Sequence, residues 1–275
     1  MKTYENAEKL FFGGTYMKKI FRIIVLICLL CLICLIPLLK NYTNILGKPK
    51  YIYVDNYSGK KFEKISDIEY LELIFPTEFS LNKIKYCDNL KELFIISHKK
   101  YENLNFIGDT DISSFSYLGE CEDWSKIAEL TSLNELNIYR SNYSNTEYIS
   151  RLNQLNSLTI QTRSDLNIEN LTSLYDLKYL AIDIPNNDLS GLCDLKQVET
   201  LCIWGCENIS DLSFLKYMDN VTTLNLQSLN NIKDYDFLLE MKNLRRVEIL
   251  IQDENIYIDD IIALLESNGV EVVRI

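Results

Sequence analysis

One histidine, four prolines and nine glycines are all that 275 residues hold of these types, and each shortage closes off something. His98 is flanked by Ser97, Lys99 and Lys100, none of which would make it a general base or a metal ligand. Scarce proline and glycine exclude a low-complexity or linker-rich chain. GxSxG, P-loop and HExxH motifs are all missing, so no catalysis and no cofactor are expected. Asp259 and Asp260 are adjacent carboxylates, but at the start of an expected helix they serve its positive end. Basic charge is also short. Residues 1–40 carry six Lys/Arg against two Asp/Glu, whereas the remainder carries 22 against 37. A domain that acidic repels phosphate backbones, which excludes nucleic acid as a partner; the excess acid keeps an elongated domain soluble.

Cysteine is limited by placement. Cys28, Cys31 and Cys34 fall inside an apolar run. Cys87, Cys121, Cys193, Cys202 and Cys206 are an odd set with no CxxC or CxxH spacing, which excludes a complete disulfide framework and gives zinc no ligand set. Buried free thiols are expected.

What the sequence has is a repeat. Val198, Leu201 and Ile203, then Val221, Leu224 and Leu226, then Leu244, Val247 and Ile249 share one pattern: apolar, two variable residues, apolar, one variable residue, apolar. Its central residue recurs as Leu71, Leu93, Phe115, Leu136, Leu158, Leu180, Leu201, Leu224 and Val247, at steps of 22, 22, 21, 22, 22, 21, 23 and 23. Upstream of the strands, apolar residues fall every third position, as in Leu171, Leu174 and Leu177 or Leu192, Leu195 and Val198. A period alternating between three and two predicts one short strand and one 3₁₀ or loop segment per turn of a coil. The fold class is α/β: a leucine-rich repeat solenoid with a curved parallel sheet on its concave face and 3₁₀ or loop structure on its convex side.

Asn208-Ile209-Ser210-Asp211-Leu212 and Asn231-Ile232-Lys233-Asp234 resemble the bacterial, internalin-like class of leucine-rich repeat. The resemblance covers about residues 65–275 and implies a fold more than an activity. The family usually places an asparagine five residues after the anchor, where its amide serves the turn. Here those positions are Pro76, His98, Glu120, Ser141, Arg163, Pro185, Cys206, Leu229 and Gln252, so irregular turns and uneven curvature are expected.

Five segments are expected. Residues 1–16 read as a gene-model extension or short cytoplasmic tail, since Met17-Lys18-Lys19-Ile20-Phe21-Arg22 looks like a membrane-targeted start. Residues 17–40 read as a membrane anchor. Ile20 to Leu39 is apolar apart from Arg22, and twenty helical residues span about 30 Å, the thickness of a hydrocarbon core. No small-x-small cleavage site follows, and Ile27, Leu30 and Ile33 are too large to precede a lipoprotein cysteine. Lys18, Lys19 and Arg22 place the repeats outside the cytoplasm, although Lys40, Lys48 and Lys50 weaken the bias. Residues 41–64 form a stalk and N-terminal cap with Tyr51 to Val54 as a capping strand, residues 65–257 the repeats, and residues 258–275 the C-terminal cap. In that cap Val270, Val273 and Ile275 are expected to continue the anchor pattern.

Residues flanking each anchor face away from the core, because side chains alternate along a strand. They are mostly small and polar with interspersed aromatics, a surface suited to a protein or peptide ligand, or to a glycan. The candidate binding residues are Tyr70, Phe94, Asn137, Tyr139, Gln161, Tyr179, Trp204, Asn225 and Arg246. The alternative is a scaffold or assembly component of a membrane protein complex.

Overall fold

A computed structural model describes residues 51–55, 68–186, 188–206, 208–229, 231–250 and 256–275. The chain divides between Pro49 and Lys50, and the described residues all belong to the second unit. The expected span from Ile20 to Leu39 and the segment 1–16 lie outside them. Among the described residues no helix is long and apolar enough to cross a membrane.

One parallel sheet orders the described residues. Its strands are β1 (Tyr51–Asp55), β2 (Tyr70–Ile74), β3 (Glu92–Ile96), β5 (Ser114–Leu118), β7 (Glu135–Ser141), β8 (Ser157–Thr162), β9 (Tyr179–Asp183), β10 (Thr200–Trp204), β11 (Thr223–Gln227), β12 (Arg246–Ile249) and β13 (Glu271–Arg274), stacked in that order. Two short strands, β4 (Tyr101–Asn103) and β6 (Cys121–Asp123), pair separately. Each anchor sits beside the next: Leu136 pairs with Leu158, Leu158 with Leu180, and Leu180 with Leu201. All nine anchors are buried, as are the residues two places on, such as Ile160, Ile182 and Ile203. No rung could bury this face alone, and stacking makes the core continuous. Each buried leucine contributes about 2 kcal/mol by area, so stability is spread over the array.

A strand precedes the nine anchor strands, and a helix and strand follow them. β1 lies parallel to β2 with Ile52 beside Leu71 and Val54 beside Leu73. At the other end a helix at Ile256–Ser267 reaches Gly269 in the left-handed region (φ 83°), and β13 follows. The register of β13 differs from the expected one. Val247 pairs with Val272, so Val270 and Val272 pack against the core, while Val273 stands beside Glu248 on the other face. Two consecutive valines, Val272 and Val273, fit either face.

The turns after the strands take two routes. In one, the fourth residue after the anchor is left-handed, at Phe75 (φ 50°), Arg140 (48°), Gly205 (58°) and Ser228 (55°). The fifth then points inward: Pro76, Ser141, Cys206 and Leu229 are buried. In the other, the fourth residue itself is buried, as at Ser97, Thr162 and Ile184, and His98 and Arg163 are turned out. The switch appears where β7 meets β8, because Ile138 pairs with Ile160 but Ser141 with Thr162, a one-residue bulge around Arg140.

This changes the expectation about asparagine. Amides do serve the turns, one or two places later than the family position. Asn142 Oδ1 accepts from the Cys121 amide at 3.3 Å, Asn186 exchanges two 2.9 Å bonds with the Leu166 backbone, and Asn208 donates to the Pro185 carbonyl at 2.8 Å. The opposite edge repeats its own device. Asp123, Asn145, Asn167, Asp188, Asp211 and Asp234 each accept, at 2.8 to 3.1 Å, the backbone N–H two residues on. These side chains open the 3₁₀ or single-turn helical segment of each rung by satisfying one of its orphan donors. Asp211 and Asp234 belong to the stretches that carry the internalin-like resemblance.

The least regular rung, around β5, is filled with aromatics. Tyr117, Trp124 and Tyr143 stack edge to face, with ring centres 5.4 and 5.1 Å apart. Tyr117 donates to the Glu120 carbonyl at 3.1 Å and Trp124 to the Cys121 carbonyl at 3.0 Å, so these polar tips are satisfied inside the core.

Candidate ligand-binding face

The sheet register converts the anchor spacing into three columns of outward side chains. The residue before each anchor gives Tyr70, Glu92, Ser114, Glu135, Ser157, Tyr179, Thr200, Thr223 and Arg246, all partly exposed. The residue after gives Glu72, Phe94, Ser116, Asn137, Thr159, Ala181, Cys202, Asn225 and Glu248. Two places further lie Ile74, Ile96, Leu118, Tyr139, Gln161, Asp183, Trp204, Gln227 and Leu250. All nine candidate binding residues fall in these columns, but they are used differently.

In the middle rungs the floor is made of small residues. Thr159, Ala181 and Cys202 are 4%, 0% and 5% exposed, although their side chains point away from the core. Tyr139 and Tyr179 cover them. Burial, with Glu135 nearby, raises the Tyr139 hydroxyl above its ordinary pKa, and burial first and Cys202 second raise that of Tyr179. The Cys202 thiol donates to the Tyr179 oxygen at 3.7 Å, and burial pushes that thiol up to about 11, so it is protonated at neutral pH and not a nucleophile. Cys87, Cys121, Cys193 and Cys206 are likewise free. Gln161 donates to Asp183 at 2.7 Å. The carboxylate of Asp183 lies against Gly205, where a Cβ would meet it at 2.6 Å.

Toward the C-terminal end the polar groups form a lattice. Trp204 Nε1 donates to Asn225 Oδ1 at 3.2 Å, Gln227 donates to the same oxygen at 2.8 Å, and Asn225 donates to Glu248 at 2.6 Å. Arg246 binds Glu248 through Nε and Nη2 at 3.0 and 2.6 Å and pairs with Glu271 through Nη1. Trp204 therefore presents its ring from a fixed position. Arg246 holds the lattice together more than it offers a free cation.

The N-terminal rungs differ again. Asn137 is 8% exposed and donates to Ser116 and Glu135, both at 3.0 Å, so it holds the residues around it in place. Ser114 donates to the other oxygen of Glu135 at 3.1 Å. Tyr70 and Phe94 stand beside Glu72, Glu92, Ile74 and Ile96. Burial first, and the Glu135 charge second, raise the Glu92 carboxyl above its ordinary pKa. Glu92 and Glu135 are not among the nine candidates, although both precede an anchor, two rungs apart. Among the described residues no group of three His, Cys, Asp or Glu is arranged to hold a metal. His98 is exposed and packs edge to face on Phe75, with ring centres 4.8 Å apart.

No family model and no curated protein matches the chain. Solved structures do. The chain is similar to an internalin of Listeria monocytogenes at 22% identity and a TM-score of 0.49, over 68% of this chain and 62% of that one. It is similar to an internalin C2 of the same bacterium at 21% and 0.46, over 77% and 82%. In the Toll–Spatzle complex of Drosophila the likeness is 13% and 0.53, over 77% of this chain and 29% of that one. The chain thus spans under two thirds of the first of these internalins and less than a third of the Toll–Spatzle chain. At such identities a likeness is one of fold alone, and it is the rung-by-rung register above, with the shared fold of the Toll–Spatzle chain, that identifies this chain as a leucine-rich repeat solenoid.

Proposed function

We propose that this chain is a membrane-anchored bacterial surface protein that binds a protein or peptide ligand through its sheet face and performs no catalysis. The observation that carries the reading is the fixed presentation of large rings on a small-residue floor: Tyr139 and Tyr179 over Thr159 and Ala181, and Trp204 held by Asn225. Aromatics already immobilised lose little freedom on binding, so their burial converts to affinity efficiently. The similar Toll structure is itself a complex with Spatzle, which fits a protein partner. Anchoring rests on the apolar run from Ile20 to Leu39, and an exported repeat domain on Lys18, Lys19 and Arg22 before it.

The test places a photo-crosslinking amino acid at Gln161 on the sheet face or at Tyr217 on the opposite side, in the full chain in producing cells. Adducts are expected from position 161 and not from 217, and Tyr179→Ala with Trp204→Ala should abolish them. Adducts from 217 that survive the double variant would favour the scaffold reading. Protease added to intact cells should digest the repeats, and full protection would refute the exported orientation.

A further inference from the structure

The first four rungs of the sheet face carry an apolar stripe and an acidic one, side by side. Ile74, Ile96 and Leu118 stand directly beside one another and are partly exposed, a run of large aliphatics on an outward surface. Four residues before Ile96 on β3, Glu92 shares a column with Glu135 of β7, with only Ser114 of β5 between them. The outward residues of these rungs from Tyr70 to Tyr139 include no Lys or Arg, and across all three columns the sole base is Arg246, already engaged by two glutamates. Glu135 is held by neutral donors, and burial first and the Glu135 charge second make ionisation of Glu92 costlier than that of a free carboxyl. A cation laid over this pair would relieve that cost.

We infer that these rungs dock a cationic amphipathic helix of a partner protein, lying along the stack of strands. The spacings agree. Rungs are about 4.8 Å apart, so Ile74, Ile96 and Leu118 repeat at that interval and Glu92 and Glu135 are separated by about 10 Å. Helix neighbours at i and i+3 or i+4 lie about 5–6 Å apart, and a seven-residue step advances about 10.5 Å. The two stripes are about 13 Å apart along the strand, close to the 10–12 Å width of a helix with its side chains. An apolar face fits the aliphatic stripe while Lys or Arg at i and i+7 reach the two carboxylates. This rests on the ligand-binding reading above and specifies its partner.

The test uses the full chain in nanodiscs of zwitterionic lipid, with empty nanodiscs as reference, and a fluorescein-labelled 15-residue peptide having a leucine face and lysines seven apart. Anisotropy should report binding that weakens as sodium chloride rises from 50 to 500 mM. Glu92→Gln with Glu135→Gln should weaken it about tenfold, Ile96→Asp should abolish it, and Tyr217→Ala, on the opposite side, should leave it unchanged. Equal binding of the peptide with its lysines replaced by glutamate, or no response to the double glutamine variant, overturns the inference. If the peptide fails to bind while the crosslink from position 161 persists, this inference falls and the wider reading stands; loss of both sinks both.

Discussion

At the C-terminal end of the sheet face, Trp204, Asn225, Gln227, Glu248 and Arg246 answer one another's hydrogen bonds; at the N-terminal end, Glu92 and Glu135 stand two rungs apart on outward positions that, from Tyr70 to Tyr139, include no Lys or Arg. The strands beneath pair in the same parallel register at both ends, so the contrast belongs to the surface. A face whose polar groups are internally paired is rigid and presents shape. A face that holds a disfavoured charge presents a preference for a partner of opposite sign. The first can be altered only by losing stability, whereas the second can be relieved.

The largest effect should come from the joint between the two regions. Leu180 is fully buried between them, and Leu180→Ala should cost about 2–5 kcal/mol. Because each rung contacts only its neighbours, urea denaturation followed by circular dichroism should resolve into two transitions. A single sharp transition at lower urea would mean that the ends are not separable. Next comes Asn225→Leu, which keeps the shape but strips the lattice of its hub and leaves the Trp204 and Gln227 donors unanswered. A loss of about 1–3 kcal/mol is expected, and an unchanged midpoint would show that water replaces the amide at no cost.

The smallest effect, of opposite sign, belongs to Glu92→Gln. Its carboxyl titrates at higher pH in the folded chain than in the unfolded one, so across that window the native state holds more protons and stability falls as pH rises. The variant should therefore melt higher than the parent at pH 7, with the gain fading as pH drops below the ordinary carboxylate range. A variant that melts lower at pH 7 would show that the charge is stabilised, and the contrast between the two ends would dissolve.

Much of this was legible in the residues. Nine anchors fixed the rungs, and the columns of the binding face follow from them because side chains alternate. What escaped was decided by backbone conformation. Phe75 and Arg140 adopt left-handed φ without being glycine or asparagine, so the two turn routes left no compositional mark. The one-residue offset in β13 hid between Val272 and Val273. On the face itself, the identities of Asn137 and Arg246 suggested contacts for a ligand, but their partners, Ser116 and Glu135 in one case and Glu248 and Glu271 in the other, stand two residues or a full rung away.

The bulge at Arg140 bears on how such a chain changes over evolutionary time. Rungs with a left-handed residue after the strand run 22 or 23 residues from anchor to anchor, and those that keep the straight route, at Ser97, Thr162 and Ile184, run 21 or 22. A codon gained or lost at this corner can be absorbed by exchanging one route for the other, leaving the stacked leucines in step. Insertions and deletions that would scramble an ordinary sheet are here confined to the corner where they occur.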